Sequence, residues 1–221
     1  MNAPALVILA AGASERLGTC KALADLGGTS ALAALCANGA ALGPAPILVV
    51  VGAHAREIAA ALPAGCEACP NPDWSSGRTS SVRAAIRARR GLDLCFAPVD
   101  VPLVPAAVFA ALAHAWRAAG APAQGWLAPW VAQGTLRRHG HPVLLGRELC
   151  EAILEAPGRA ALKEFRSRAR PLLGIEVRSP EILDDLDTPA DLAEMRRRRG
   201  FSAQIPMASA PIDRRRDELP G

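Results

Sequence analysis

The chain has 221 residues and a net charge of +4, and about half of its residues are apolar, with no tyrosine and few other aromatics. This length fits one large domain with a mainly aliphatic core, and the shortage of stacking aromatics argues against a nucleic-acid-binding face. No apolar run approaches the roughly 20 residues of a membrane span, and little chain precedes the first strand. We therefore expect a cytoplasmic protein without membrane or nucleic-acid partners.

A buried strand followed by a cationic loop opens the chain. Residues 6–9 are continuously apolar, which is typical of a strand covered on both faces in a parallel sheet. The small residues at 10–14 leave backbone N–H groups free to wrap an anion, and Gly12 and Gly18 can take positive φ. Arg16 and Lys21 would then neutralise phosphate oxygens. The spacing matches neither the dinucleotide fingerprint nor the P-loop.

The rest of the chain alternates between helix and strand patterns, which predicts an α/β fold. We expect a Rossmann-like, doubly wound, mostly parallel sheet with helices on both faces and a small β-hairpin insertion. One domain would cover 1–200, and the aperiodic residues 201–221 would form a flexible tail. The predicted strands after the first are 46–51, 65–69, 92–99 and 172–177, with the hairpin between 126–131 and 141–145. The predicted helices are 30–37, 55–62, one ending at 90, 105–119, 147–155, 160–168 and one ending at 200.

The ends of three of these helices have predicted signals. Thr29 is the expected N-cap of the first helix, and Thr79 or Ser80 that of the third. Gly200 is the expected end of the last helix, because glycine is common just beyond a helix C-terminus.

Two acidic positions are predicted to meet at the sheet edge that carries the cationic loop. Asp100 follows the strand at 92–99, and ligands of open α/β sheets bind at the carboxyl ends of strands. Asp187 precedes Thr188 and Pro189, a predicted helix cap, and is therefore better fixed than Asp185. Carboxylates at this edge are also suitable ligands for Mg²⁺. The structural alternatives are a turn residue at Asp100 and a metal-free capping cluster at Asp187.

The loop sequence LAAGASERLGTCK at 9–21 resembles the opening signature of the molybdenum cofactor nucleotidyltransferases, and most of all the cytidylyl-transferring branch. Four later segments resemble further elements of that family. They are the N-x-x-W-x-x-G element at 71–82, the G-D-x-P element at Asp100, the G-H-P-V element at His141 and the D-T-P element at Asp187.

This resemblance implies transfer of CMP from CTP to a molybdopterin-type phosphorylated acceptor, with release of pyrophosphate. Arg16 and Lys21 would stabilise the triphosphate and the leaving pyrophosphate, Asp100 and Asp187 would hold Mg²⁺, and His141 would bind the acceptor. A molybdoenzyme or its maturation chaperone is a candidate partner. The residues implied to contact the nucleotide are Leu9, Ala10, Ala11, Gly12, Ser14, Gly77 and Ser81.

Several positions depart from the family pattern and keep alternatives open. Arg78 replaces a usual Met, Val99 replaces a usual Gly, and residues 156–161 lack the acid of the G-D-x-G-A-R element. Ala11 stands where guanylyl-transferring relatives usually carry glycine, which favours CTP. The alternatives are nucleotidyl transfer to a sugar or alditol phosphate, and a non-catalytic protein that binds a cofactor on the same fold.

Overall fold

The computed structural model describes residues 3–157 and 162–204. Its strands form one eight-stranded sheet in the order β3-β2-β1-β4-β7-β5-β6, with β8 paired to β5. The strands are β1 Ala5–Ala10, β2 Ile47–Val51, β3 Cys66–Pro70, β4 Leu94–Pro98, β5 Trp126–Gln133, β6 Leu136–His139, β7 Val143–Leu145 and β8 Leu172–Glu176. The α-helices are α1 Ala31–Gly39, α2 Ala55–Ala60, α3 Arg78–Ala88, α4 Ala106–Ala118, α5 Arg147–Glu155, α6 Leu162–Arg168 and α7 Pro189–Gln204.

The first four strands form the parallel half of the sheet, with β1 between β2 and β4. Strand β7 joins this half to β5 through antiparallel pairs on both sides. Strands β5 and β6 form a hairpin, and β8 lies parallel to β5. The second arm of the hairpin was predicted at 141–145, whereas it is β6, and residues 143–145 form β7. The predicted fold class, a doubly wound α/β fold with a hairpin insertion, is confirmed.

The two faces of β1 are buried in different halves of the core, because successive side chains of a strand point to opposite faces. Leu6 and Ile8 pack in the same cluster as buried residues of α1 and α4. Val7 packs with buried residues of α3 and α5. The helices therefore cover both faces and leave the carboxyl ends of β1 and β4 as a place for a site. Within the described residues, no helix has the length and apolarity to cross a membrane.

Three predicted helix boundaries were wrong. Helix α1 is capped by Ser30, whose hydroxyl accepts a hydrogen bond from the Ala33 N–H at 3.1 Å, and not by Thr29. Helix α3 begins at Arg78, so neither Thr79 nor Ser80 caps it. Helix α7 continues through Gly200, which can occur because a helical glycine is unfavourable by only about 1 kcal/mol relative to alanine. The start of the helix predicted from 160 and the tail from 205 onward lie outside the described residues.

Candidate active site

A cavity of about 500 Å³ lies at the carboxyl ends of β1 and β4. It is formed by the loop after β1, the start of α3, the end of β4 and the segment before α7. Every predicted site residue except His141 lines it: Leu9, Ala10, Ala11, Gly12, Ser14, Arg16, Lys21, Gly77, Ser81, Asp100 and Asp187. Segments distant in sequence thus meet in one cavity.

Ser14 shapes the loop after β1. It adopts a left-handed backbone conformation with φ of 59°, and its carbonyl oxygen accepts hydrogen bonds from the N–H groups of Leu17 and Gly18, both at 3.1 Å. Its hydroxyl accepts a third from the Lys21 N–H at 3.1 Å. These bonds turn the chain back, so that the Arg16 and Lys21 side chains border one cavity.

The two loop glycines differ from each other. Gly18 uses the conformational freedom of glycine, with a φ of 76°, whereas Gly12 does not have positive φ. A Cβ placed on Gly12 would meet no atom within 4 Å. The protein itself therefore has room for a side chain at this position, which borders the cavity.

We predict that Gly12→Ala weakens nucleotide binding without destabilising the fold. The added methyl meets no protein atom, so the free energy of unfolding should change by less than about 0.5 kcal/mol, while a phosphate lying against the loop backbone would lose close contact. Calorimetric titration with nucleoside triphosphate and a denaturant melt measure the two effects. Unchanged affinity would show that the ligand does not approach Gly12.

Gly52, directly after β2, supports the site without lining it, and the motif analysis missed this role. A Cβ there would lie 2.5 Å from the Ala11 carbonyl oxygen and 2.6 Å from the Trp74 Cβ. The glycine lets the loop that carries Trp74 approach the loop after β1. The sequence signal was a glycine directly after a buried strand, which often marks a close approach of backbone.

Asn71 positions the start of α3 and is buried, with 4% of its surface exposed. Its side-chain amide donates to the hydroxyls of Ser80 at 2.9 Å and Ser81 at 3.1 Å, and its side-chain carbonyl accepts from the Asp73 N–H at 3.1 Å. Because a buried amide is stable only when its hydrogen bonds are satisfied, this network fixes the loop between β3 and α3. Gly77 and Ser81 are thereby held at the cavity wall.

A backbone hydrogen bond joins the two acidic segments. The Leu186 N–H donates to the Asp100 carbonyl oxygen at 2.9 Å, which places the segment before α7 beside the end of β4. The Asp191 carboxylate accepts from the N–H groups of Asp187 at 3.1 Å and Thr188 at 2.7 Å. Asp187 is therefore fixed at the start of α7, as the predicted helix cap implied.

Asp187 pairs with both cations of the loop. Its carboxylate contacts the Lys21 ammonium, and the Arg16 guanidinium lies 2.5 Å away. The Lys21 side chain is 15% exposed and that of Arg16 is 72% exposed, so the pair with Lys21 is better shielded from water. In this structure the residues expected to bind phosphate and the residue expected to bind metal neutralise one another.

The neighbouring acids Asp185 and Asp187 have opposite pKa shifts. Burial raises the pKa of Asp185, and a hydrogen bond to Asp187 together with the charges of Asp100 and Asp187 raises it further. Burial opposes ionisation of Asp187 as well, but hydrogen bonds from Lys21 and Asp185 and the charges of Lys21 and Arg16 hold its pKa below the usual value. Asp187 is therefore the member of this pair that ionises more readily.

A second cavity, of about 380 Å³, adjoins the first and contains His141. Arg78, Asp100 and Asp185 line both cavities. Burial and the Arg78 charge lower the pKa of His141 against the opposing charge of Asp100, so the ring is mainly neutral at pH 7. Two buried nitrogens among its lining residues, His141 Nδ1 and Trp126 Nε1, have no hydrogen-bond partner within the described residues. An unpaired buried donor is unfavourable by about 1–3 kcal/mol, so a ligand or water is expected to pair with them.

Comparison with known proteins identifies the family. Residues 6–172, most of the chain, match the model of the MobA-like NTP transferase domain. The chain belongs to this family. A search of curated protein sequences finds no match.

Solved structures support the fold of this MobA-like NTP transferase. Rv0371c from Mycobacterium tuberculosis H37Rv is 24% identical with a TM-score of 0.72, covering 89% of this chain and 100% of that one. A nucleotidyl transferase from Methanothermobacter thermautotroptrophicus is 22% identical with a TM-score of 0.74, covering 91% and 100%. Molybdopterin-guanine dinucleotide biosynthesis protein A from Archaeoglobus fulgidus is 16% identical with a TM-score of 0.65, covering 89% and 98%.

The donor set of the MobA-like site suits a divalent metal ion. Asp100, Asp185 and Asp187 offer carboxylate oxygens, the ligands that Mg²⁺ and Mn²⁺ prefer. Rv0371c has also been solved in complex with manganese. Within residues 3–157 and 162–204, no three or more His, Cys, Asp or Glu side chains are already grouped as a metal site. The chemistry of the donors fits a metal, whereas Asp187 is engaged by Lys21 and Arg16.

Proposed function

We propose that this MobA-like NTP transferase transfers CMP from CTP to a molybdopterin-type phosphorylated acceptor and releases pyrophosphate. The observation that carries the proposal is the single cavity that holds the loop cations Arg16 and Lys21 together with Asp100 and Asp187. Nucleotidyl transfer needs little covalent help from a protein, because positioning and charge stabilisation supply most of the catalysis. The residues of this cavity are of the types that such catalysis requires.

The loop after β1 would bind the triphosphate. Residues 9–16 line the cavity, and those at 10–14 have only small side chains. On nucleotide binding, Lys21 and Arg16 would transfer their hydrogen bonds from Asp187 to phosphate oxygens. Lys21 would then stabilise the negative charge that develops on the departing pyrophosphate, which is a contribution to the transition state more than to the ground state.

Asp100 and Asp187 would hold the divalent ion, which when bound neutralises phosphate charge. Asp187 is held as a carboxylate by its pairs with Lys21 and Arg16, and its release from them would make those oxygens available to the ion. Asp185, whose pKa is raised, would remain its hydrogen-bonded neighbour.

The acceptor would occupy the second cavity. Its phosphate would enter where the two cavities share Arg78, Asp100 and Asp185, and would attack the α-phosphorus of the nucleotide. The Arg78 guanidinium lies 3.7 Å from the Asp100 carboxylate and the side chain is 58% exposed, so it is accessible to an incoming phosphate. His141 and Trp126 would hydrogen-bond the rest of the acceptor through the nitrogens that lack partners.

We predict that CTP is used in preference to GTP, and that Ala11→Gly reduces the preference. The first cavity, of about 500 Å³, is the one in which the nucleotide would bind, and we call it the nucleotide cavity. Ala11 is buried and lines it, so the Ala11 methyl group narrows the space available to a purine. One methyl group contributes about 1–3 kcal/mol of discrimination, which is roughly 5- to 150-fold in kcat/KM. Competition between the two nucleotides in the native protein and in Ala11→Gly measures the effect. Better use of GTP by the native protein would contradict it.

Pyrophosphate release in the presence of Mg²⁺ tests the proposed function. We expect release with CTP and molybdopterin, and slower release with sugar or alditol phosphates. The product should contain CMP joined through a pyrophosphate bond. Turnover with an alditol phosphate only would favour that acceptor class, and binding of all ligands without any pyrophosphate release would favour a non-catalytic protein.

A further inference from the structure

Helix α6 places one arginine, Arg166, in the wall of the second cavity. Neither the sequence motifs nor the proposed reaction uses this residue. Arg166 lines this cavity but not the nucleotide cavity. It makes no ion pair with any residue in 3–157 or 162–204, although acidic residues lie in the same cavity wall. One of these acids, Asp184, already pairs with Arg198 at 2.7 Å.

The surroundings of Arg166 are poor in available negative charge. Asp184, an acid of this cavity wall, is already neutralised by its 2.7 Å pair with Arg198. His139, on β6, lies near enough to Arg166 for the two to interact, and its pKa is lowered by burial and then by this arginine and Arg137. An imidazole beside a guanidinium that makes no ion pair within the described residues forms a subsite that favours an anion.

We propose that Arg166, with His139, binds a second anionic group of the acceptor, distinct from the phosphate that attacks the nucleotide. The inference rests on the proposed function, because it takes the second cavity as the acceptor site. It makes Arg166 a specificity-determining residue that selects acceptors carrying two anionic groups over otherwise similar acceptors carrying one. Arg166 is exposed, so its contribution is that of a hydrated ion pair, roughly two- to fivefold in affinity.

A matched pair of small probes tests this selection without any turnover. Glycerol 3-phosphate carries one anionic group, and 3-phosphoglycerate has a similar skeleton with an added carboxylate. Each would be titrated calorimetrically into the full chain in the presence of Mg²⁺ and saturating CDP, which fills the nucleotide cavity and has no pyrophosphate to release. We expect 3-phosphoglycerate to bind about two- to fivefold more tightly to the native protein, and Arg166→Ala to remove that difference.

Arg168→Ala is the matched control. Arg168 lies on the same helix with its guanidinium 5.4 Å from the Phe165 ring centroid, and it lines neither cavity. The control should keep the native difference between the two probes, and Arg166→Lys should keep part of it. Equal affinities in the native protein, an undiminished difference in Arg166→Ala, or no binding of either probe would each overturn the inference. Selective binding of 3-phosphoglycerate without pyrophosphate release from CTP and any acceptor would instead refute the proposed function and leave the anion subsite standing.

Discussion

Lys21→Ala is expected to lower kcat about 10²–10³-fold while the protein stays folded. The ammonium group lies in the shielded part of the nucleotide cavity, where a charge interacts with a developing phosphate charge more strongly than it would in water. The effect should appear in kcat more than in the KM for CTP, because the leaving pyrophosphate gains charge only in the transition state. Stopped-time assays of pyrophosphate release at saturating CTP measure it.

The stability of the Lys21 variant provides an internal check. Removal of the ammonium leaves Asp187 with Arg16 alone, so the free energy of unfolding should fall by roughly 1–3 kcal/mol without loss of the fold. Arg56→Ala is the control, since Arg56 is exposed on α2 and lines neither cavity. Near-native turnover in a folded Lys21→Ala protein would show that the loop cation has no part in catalysis.

The nucleotide cavity was largely predictable from the sequence because its parts depend on local signals. A continuous apolar strand, small residues after it, and acids at the ends of a strand and before a helix cap are each visible within a few positions. The parallel order of the strands then brings those ends to one edge. This is why residues as distant as Lys21 and Asp187 could be placed together without an observed contact.

The features that were not predicted depend on contacts between distant segments. Three such features follow from how the loops pack. Asp187 pairs with both loop cations, and the backbone approaches closely at Gly52. Trp126 and Arg166 lie in the wall of the second cavity. No periodicity or cap signal encodes them. The helix boundaries failed for a related reason, since Ser30, next to the predicted cap, was an equally suitable residue, and only the folded turn selects one.

Asp187→Asn is expected to reduce metal-dependent turnover at least about 100-fold, because several kcal/mol of charge stabilisation depend on an ionised carboxylate at the phosphates. Asp100→Asn should have a comparable effect, whereas Asp185→Asn should be milder. The difference follows from the pKa values, which are lowered for Asp187 and raised for Asp185. Asp25→Asn serves as a control on an exposed acid outside both cavities. Pyrophosphate release over a Mg²⁺ titration separates weaker metal binding from slower chemistry.

Measurement of Mn²⁺ affinity, which needs no turnover, tests more directly whether Asp187 is a metal ligand. Because Lys21 and Arg16 neutralise Asp187 in the free protein, Mn²⁺ should bind weakly alone and more tightly when CTP occupies the cations. A coupling of about 1–3 kcal/mol, or 5- to 150-fold, is typical of linked sites. Lys21→Ala should therefore bind Mn²⁺ more tightly than the native protein in the absence of nucleotide, although it turns over less.

If electron paramagnetic resonance titrations show the same Mn²⁺ affinity in the native, Lys21→Ala and Asp187→Asn proteins, Asp187 is not a metal ligand. The largest loss in Asp185→Asn would assign the metal to the other acid of the pair.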